Sequence, residues 1–177
     1  MKQIFNKKAL KNHFKNVTID DFFDMIISLN SEGKNSVNVL NQIELAKMLR
    51  GKFVGHIIND HDIVANGIKI ELKCNVNQAM DWGATVGFGS FHQKEDWDLL
   101  VHWVPSSFNK YLNEDKFTVF KKSEFEILKK ESNDSGGFRY TSKIFNPDHK
   151  ITRNKLKLEF VKKRIMNLQE LKQLIYG

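Results

Sequence analysis

Between residues 60 and 74 apolar and polar positions alternate, and the alternation is interrupted once, by Asn66-Gly67. A period of two marks a strand with one buried face. Asn-Gly between two such runs predicts a hairpin with a two-residue loop, because both residues tolerate positive φ. In that register Ala65 faces Ile68, Val64 faces Lys69, Asp62 faces Glu71 and Asp60 faces Lys73. Successive side chains point to opposite sides of a strand. Asp60, Asp62, Lys69, Glu71 and Lys73 therefore share one face with Val64, and Ile63, Ala65, Ile68, Ile70, Leu72 and Cys74 form the other. One face is core; the other gathers charge.

Upstream the period lengthens to that of a helix. Thr18 is placed to cap a helix running through Phe22, Phe23, Met25, Ile26, Ile27 and Leu29, with Asp20 and Asp21 in its first turn. A second helix carries Val39, Leu40, Ile43, Ala46 and Leu49, and Gly51 is its expected stop. Downstream, residues 75–90 hold scattered glycines and read as a loop. The apolar run Trp97 to Val104, ended by Pro105, suits a buried central strand. His102 lies within that run, and no second His or Cys at ligand spacing makes it part of a zinc site. A strand follows at 116–120, and Ser123 with Glu126 has the capping-box spacing for a helix to about 130. Residues 155–175 predict a C-terminal helix, although Lys155 to Leu158 alternates and fits a strand as well.

The expected fold is α/β: a mixed β-sheet with core strands near 60–65, 68–74, 97–104 and 116–120, flanked by α-helices. All 177 residues read as one domain, and 41% apolar content suffices for a single core. A helical part covers about 1–50, a catalytic core about 51–130, and a basic part about 131–177. Net charge +7 points to a polyanionic partner. The lone cysteine, Cys74, excludes an intrachain disulfide framework, which suits a reducing cytoplasm. The first residues lack the apolar run of a signal peptide, and no apolar stretch approaches a membrane span. A cytoplasmic protein with no membrane partner is expected.

The charged face of the hairpin carries the chemistry. Directly opposed like charges destabilise an antiparallel pair, so Asp62 facing Glu71 calls for a cation between them. Mg²⁺ is typically held by one or two carboxylates together with waters and phosphate oxygens. Lys73, on the same face as Glu71, adds an ammonium that can orient a water or stabilise developing negative charge. Carboxylates, a metal and a lysine together suit hydrolysis of a phosphodiester.

Asp62 followed nine residues later by Glu71-Leu72-Lys73 resembles the PD-(D/E)XK nuclease motif, with Asp62 as the first acid. The resemblance is specific over about fifteen residues and architectural beyond them. His61 stands where the motif has proline, and Asp60 competes for the role of first acid; the register favours Asp62. The resemblance implies a restriction-endonuclease-like fold and a Mg²⁺-dependent endonuclease cutting double-stranded DNA, most like a small type II restriction enzyme. A junction resolvase or repair nuclease of the same superfamily, or a basic DNA-binding module without catalysis, are the alternatives. Asp62 and Glu71 would hold the metal, and Lys73 would position water. Glu44, on the helix before the first core strand, matches by type and position an acidic residue that supports the metal in such enzymes. Cutting both strands of a symmetric site implies a homodimer.

A duplex needs a basic surface. Lys150, Arg153, Lys155, Lys157, Lys162, Lys163 and Arg164 cluster near the C-terminus and suit phosphate neutralisation. Arg153, Asn154 and Lys155 are the expected DNA contacts there, Arg toward guanine and Asn toward adenine. Gln78, just after the motif strand, and Gln93 with Lys94 are further expected contacts.

Overall fold

Asn66 and Gly67 turn the chain with φ of 50° and 77°, the left-handed conformation that the predicted two-residue loop demands. The strands they join, β2 (Ile63–Ala65) and β3 (Ile68–Cys74), pair in the expected register: Ala65 with Ile68, Val64 with Lys69, Ile63 with Ile70. The computed structural model describes residues 7–23, 25, 36–54, 61–74, 85–87, 96–109, 111–124, 139–145 and 155–177.

The other described strands are β1 (Lys52–Phe53), β4 (Thr85–Gly87), β5 (Leu99–Val104), β6 (Lys116–Lys121), β7 (Arg139–Thr141) and β8 (Ile165–Met166). The helices are α1 (Lys7–His13), α2 (Ser36–Met48), α3 (Lys155–Lys162) and α4 (Leu168–Tyr176). Six strands form a mixed sheet in the order β1-β2-β3-β5-β6-β8, and β4 pairs with β7 in a second, two-stranded sheet. Among the described strands of the large sheet only β3 and β5 run parallel, aligning Glu71 with Leu100 and Lys73 with His102. A mixed sheet flanked by helices is what the pattern of the chain predicts.

One face of the sheet presents Ile63, Ala65, Ile70, Leu72, Leu99, Val101, Trp103, Phe117 and Val119 to Leu45, Ala46 and Leu49 near the end of α2 and to Leu171 and Ile175 of α4. The other face carries Glu71, Leu100, His102, Thr118 and Phe120, all buried. Every residue of β5 is buried, which explains why its run is apolar apart from His102: a central strand covered on both sides has no polar phase.

One expectation changes. The helix predicted over 155–175 is broken into α3, β8 and α4. Asn167 restarts the helix: its side chain accepts from Glu170 N–H (2.9 Å) while Glu170 accepts from Asn167 N–H (2.7 Å). The alternation at Lys155 to Leu158 is helical, as the start of α3. The helix that Thr18 opens is present over the described residues 19–23 and 25, with Thr18 and Asp21 capping one another and Met25 buried. Phe22 and Phe23 are 50% and 58% exposed, and Ile26, Ile27 and Leu29 lie outside the described residues.

Gly51 is close to its predicted place but does a different job. Past α2, Arg50 takes the left-handed conformation (φ 52°), and Gly51 N–H donates to Ala46 O at 2.8 Å. A Cβ on Gly51 would lie 2.7 Å from Val64 O and 2.9 Å from Ala65 Cβ. Glycine is needed here for the approach of the chain to β2. Gly51→Ala is expected to cost about 1–3 kcal/mol, as overpacking does, measured by urea unfolding.

The hairpin is fastened from far down the chain. Asn66 Nδ2 donates to Ile175 O at 2.8 Å, and Tyr176 Oη donates to Leu49 O. α4 thus holds both the hairpin tip and the end of α2.

Candidate active site

The ladder between β2 and β3 stops at Ile63 and Ile70, one pair short of Asp62. Asp62 N–H donates to Ile70 O at 3.0 Å, one residue out of step with the pair Ile63–Ile70. An extra residue of this kind bends a strand and re-aims a side chain. The expected cross-strand pairing of Asp62 with Glu71 is therefore corrected. Asp62 turns into the sheet instead, with Oδ2 accepting from Leu72 N–H at 2.8 Å and Oδ1 from Gln42 Nε2 at 2.6 Å. Its carboxylate is fully buried. Where the ladder ends, the carboxylate satisfies a main-chain N–H that needs an acceptor.

Glu71 and Lys73 occur as predicted on one face of β3, and their side chains form an ion pair. Glu71 is buried, and its second oxygen, Oε2, has no hydrogen-bond partner among the described residues. Lys73 is more open, with its side chain 38% exposed. Asp62 is joined to β3 at the peptide between Glu71 and Leu72, where its Oδ2 accepts from Leu72 N–H.

Glu44 is not brought to this group. It sits two residues from Gln42 on α2, about 200° around the helix. Glu44 is fully buried and accepts from Asn16 N–H (3.1 Å) and Asn16 Nδ2 (2.6 Å). It borders a separate cleft of about 490 Å³ that also meets His13, Ser106, Ser107 and Asp115. Burial holds its carboxyl above the ordinary range. No three Asp, Glu, His or Cys side chains are grouped to hold a metal among the described residues. The residue of α2 that reaches Asp62 is Gln42, which the motif does not mark. The sequence does carry a signal for it: Gln42 occupies the first place of the stripe Leu45, Ala46, Leu49, so a polar group there faces the sheet.

His102 is 2% exposed and lies beside Lys73 on β5 and opposite Thr118 on β6. Burial pushes its imidazole down to about 3 from an ordinary 6.5, so it is neutral in the fold. An unfolded chain takes up that proton first, so this contribution is whole above pH 6.5 and is lost as pH falls toward 3. His13 is lowered by burial in the same sense, and Glu44, raised by burial, works oppositely. Below pH 6.5, His102→Gln is expected to lose stability less steeply than wild type, by up to about 1.4 kcal/mol per pH unit. Urea unfolding at pH 7, 6, 5 and 4.5 checks the difference in slope.

Asp60, Gln78, Gln93, Lys94, Arg153 and Asn154 lie outside the described residues. Lys155 opens α3, and its side chain is outside the description. Of the basic cluster, Lys162 and Lys163 are exposed, with Lys162 pairing to Glu159 at 3.2 Å. Arg164 serves the fold: it pairs with Glu124 at 2.8 Å and lies 3.4 Å over the Phe160 ring. Among the described residues no helix is long and apolar enough to cross a membrane. Comparisons of the chain with protein-family models, curated proteins and solved structures found no match.

Proposed function

We propose that the protein is a Mg²⁺-dependent endonuclease of the PD-(D/E)XK kind with a restriction-endonuclease-like core, cutting double-stranded DNA as a type II restriction enzyme does. The observation that carries this reading is the state of Glu71. A buried carboxylate with one oxygen on Lys73 and the other without a donor is costly as a structural element, and it is well suited to receive a cation.

On this reading the metal would be held by Glu71 and Asp62. Glu71 Oε2 is a hard oxygen without a donor among the described residues, and Asp62, whose two oxygens accept from Leu72 N–H and Gln42 Nε2, is the second carboxylate of the motif. Two carboxylates, completed by waters and phosphate oxygens, are a common Mg²⁺ set; Glu44 is not needed. Bound there, Mg²⁺ would polarise the phosphoryl group and lower the pKa of a water. The work of the chain is then divided. Glu71 sets the position of Lys73 through their ion pair, and Lys73, partly open to solvent, orients the attacking water and offsets charge on the phosphate. Asp62 is held rigid by Leu72 and Gln42.

The net charge of +7 supports a polyanionic substrate, and cutting both strands of a symmetric site would call for a homodimer in the cytoplasm. The test is incubation with plasmid DNA with and without Mg²⁺. Discrete fragments only with metal support restriction, and selective cutting of branched substrates points to the resolvase alternative. Salt-sensitive binding with no cutting in any divalent metal leaves a DNA-binding module and refutes catalysis.

A further inference from the structure

We infer that Gln42 is a positioning residue for this site, acting through Asp62; the inference rests on the nuclease reading above. Gln42 is 5% exposed on the face of α2 that packs against the sheet, a place where Leu45, Ala46 and Leu49 show that an apolar side chain fits. Its amide nitrogen donates to Asp62 Oδ1 at 2.6 Å. Its oxygen, Oε1, is buried with no hydrogen-bond partner among the described residues. A side chain that served packing alone would not leave a polar atom stranded in the interior, since burial of an unpaired group opposes folding. What the amide supplies is a donor to a carboxylate.

That donor matters because Asp62 is gripped from two directions. Leu72 N–H fixes Oδ2 from β3, and Gln42 Nε2 fixes Oδ1 from α2. The pair of donors sets the plane of the carboxylate and the direction in which its remaining lone pairs point. Without Gln42 the group could rotate about its bond to Leu72 N–H. Partners that orient a metal ligand are typically worth about 10–100-fold in metal affinity or activity.

The experiment measures Mn²⁺ binding to the full chain by isothermal titration, alongside plasmid cutting. Gln42→Met removes the donor and keeps the volume; Gln42→Asn keeps an amide but withdraws it from reach, and serves if the first variant folds poorly. Weakening of Mn²⁺ binding by about 10-fold or more, with the folded spectrum retained, is expected. In the Asp62→Asn background the same change should weaken binding no further, since Gln42 acts through Asp62; a packing role would not show this dependence. Wild-type cutting with Gln42→Met binding Mn²⁺ as wild type does overturns the inference and leaves the nuclease reading intact. So does an equal loss in both backgrounds. A wild-type protein that neither binds Mn²⁺ nor cuts DNA overturns both readings.

Discussion

Asp62→Ala is expected to destabilise the protein by about 2–6 kcal/mol, because it strands two donors, each worth about 1–3 kcal/mol when buried unpaired. Leu72 N–H and Gln42 Nε2 both lose their acceptor, and neither can reach water in a position that is fully buried. For a chain of this size the melting temperature should fall by roughly 5–15 °C. Asp62→Asn keeps an acceptor for Leu72 N–H and should melt closer to wild type. Thermal melts followed by circular dichroism decide it: an alanine variant melting within a degree of wild type means that the carboxylate is not holding the strand. Loss of cutting in Asp62→Ala alone therefore does not separate chemistry from folding, and Asp62→Asn is the variant that does.

Glu71→Gln should behave in the opposite way, losing activity with little loss of fold. It is isosteric, and the oxygen that it changes most contributes no hydrogen bond to the described fold. It withdraws a negative ligand from the proposed metal position and the ion-pair partner of Lys73. Loss of about 3–5 kcal/mol of transition-state stabilisation would slow Mg²⁺-dependent cutting by roughly 10²–10⁴-fold. Lys73→Met should slow it by about 10²–10³-fold, the usual effect of removing one charge-stabilising donor, with DNA binding less affected. Initial rates on supercoiled plasmid, beside a melt of each variant, are the measurement. A Glu71→Gln protein that cuts within threefold of wild type removes Glu71 from the chemistry.

The contrast between these two carboxylates shows where sequence reasoning stops. Alternation and the Asn66-Gly67 turn are local, so the hairpin, its core face and the Glu71–Lys73 pair are legible from spacing alone. Spacing also marks Asp62 as special but gives it the wrong neighbour. A single extra residue in one strand shifts register by one, and nothing in the composition of His61-Asp62-Ile63 announces it. Its helix partner Gln42 lies twenty residues earlier, and choosing Gln42 over Glu44 needs the rotational phase of α2 against the sheet. Acid-for-acid matching favours Glu44; the packing stripe favours Gln42. The two- and three-residue strands β1, β4, β7 and β8 are too short to show any period. The split of the C-terminal segment does leave a trace, Asn167 with Glu170, which the longer apolar spacing masks.

The latch of α4 on the hairpin places the site in time as well as in space. Asn66 takes its acceptor from Ile175, 109 residues later, and the buried core beneath β3 is completed by Leu171 and Ile175. Closing so long a loop costs chain entropy before any contact rewards it. On the ribosome, residues 61–74 emerge well before the helix that steadies them. A nascent chain is therefore expected to carry the motif residues without a rigid frame around them, and to gain cutting activity only once residues 168–176 are free to dock. For a protein whose proposed substrate includes the DNA of its own cell, that order delays the activity until synthesis has passed this helix.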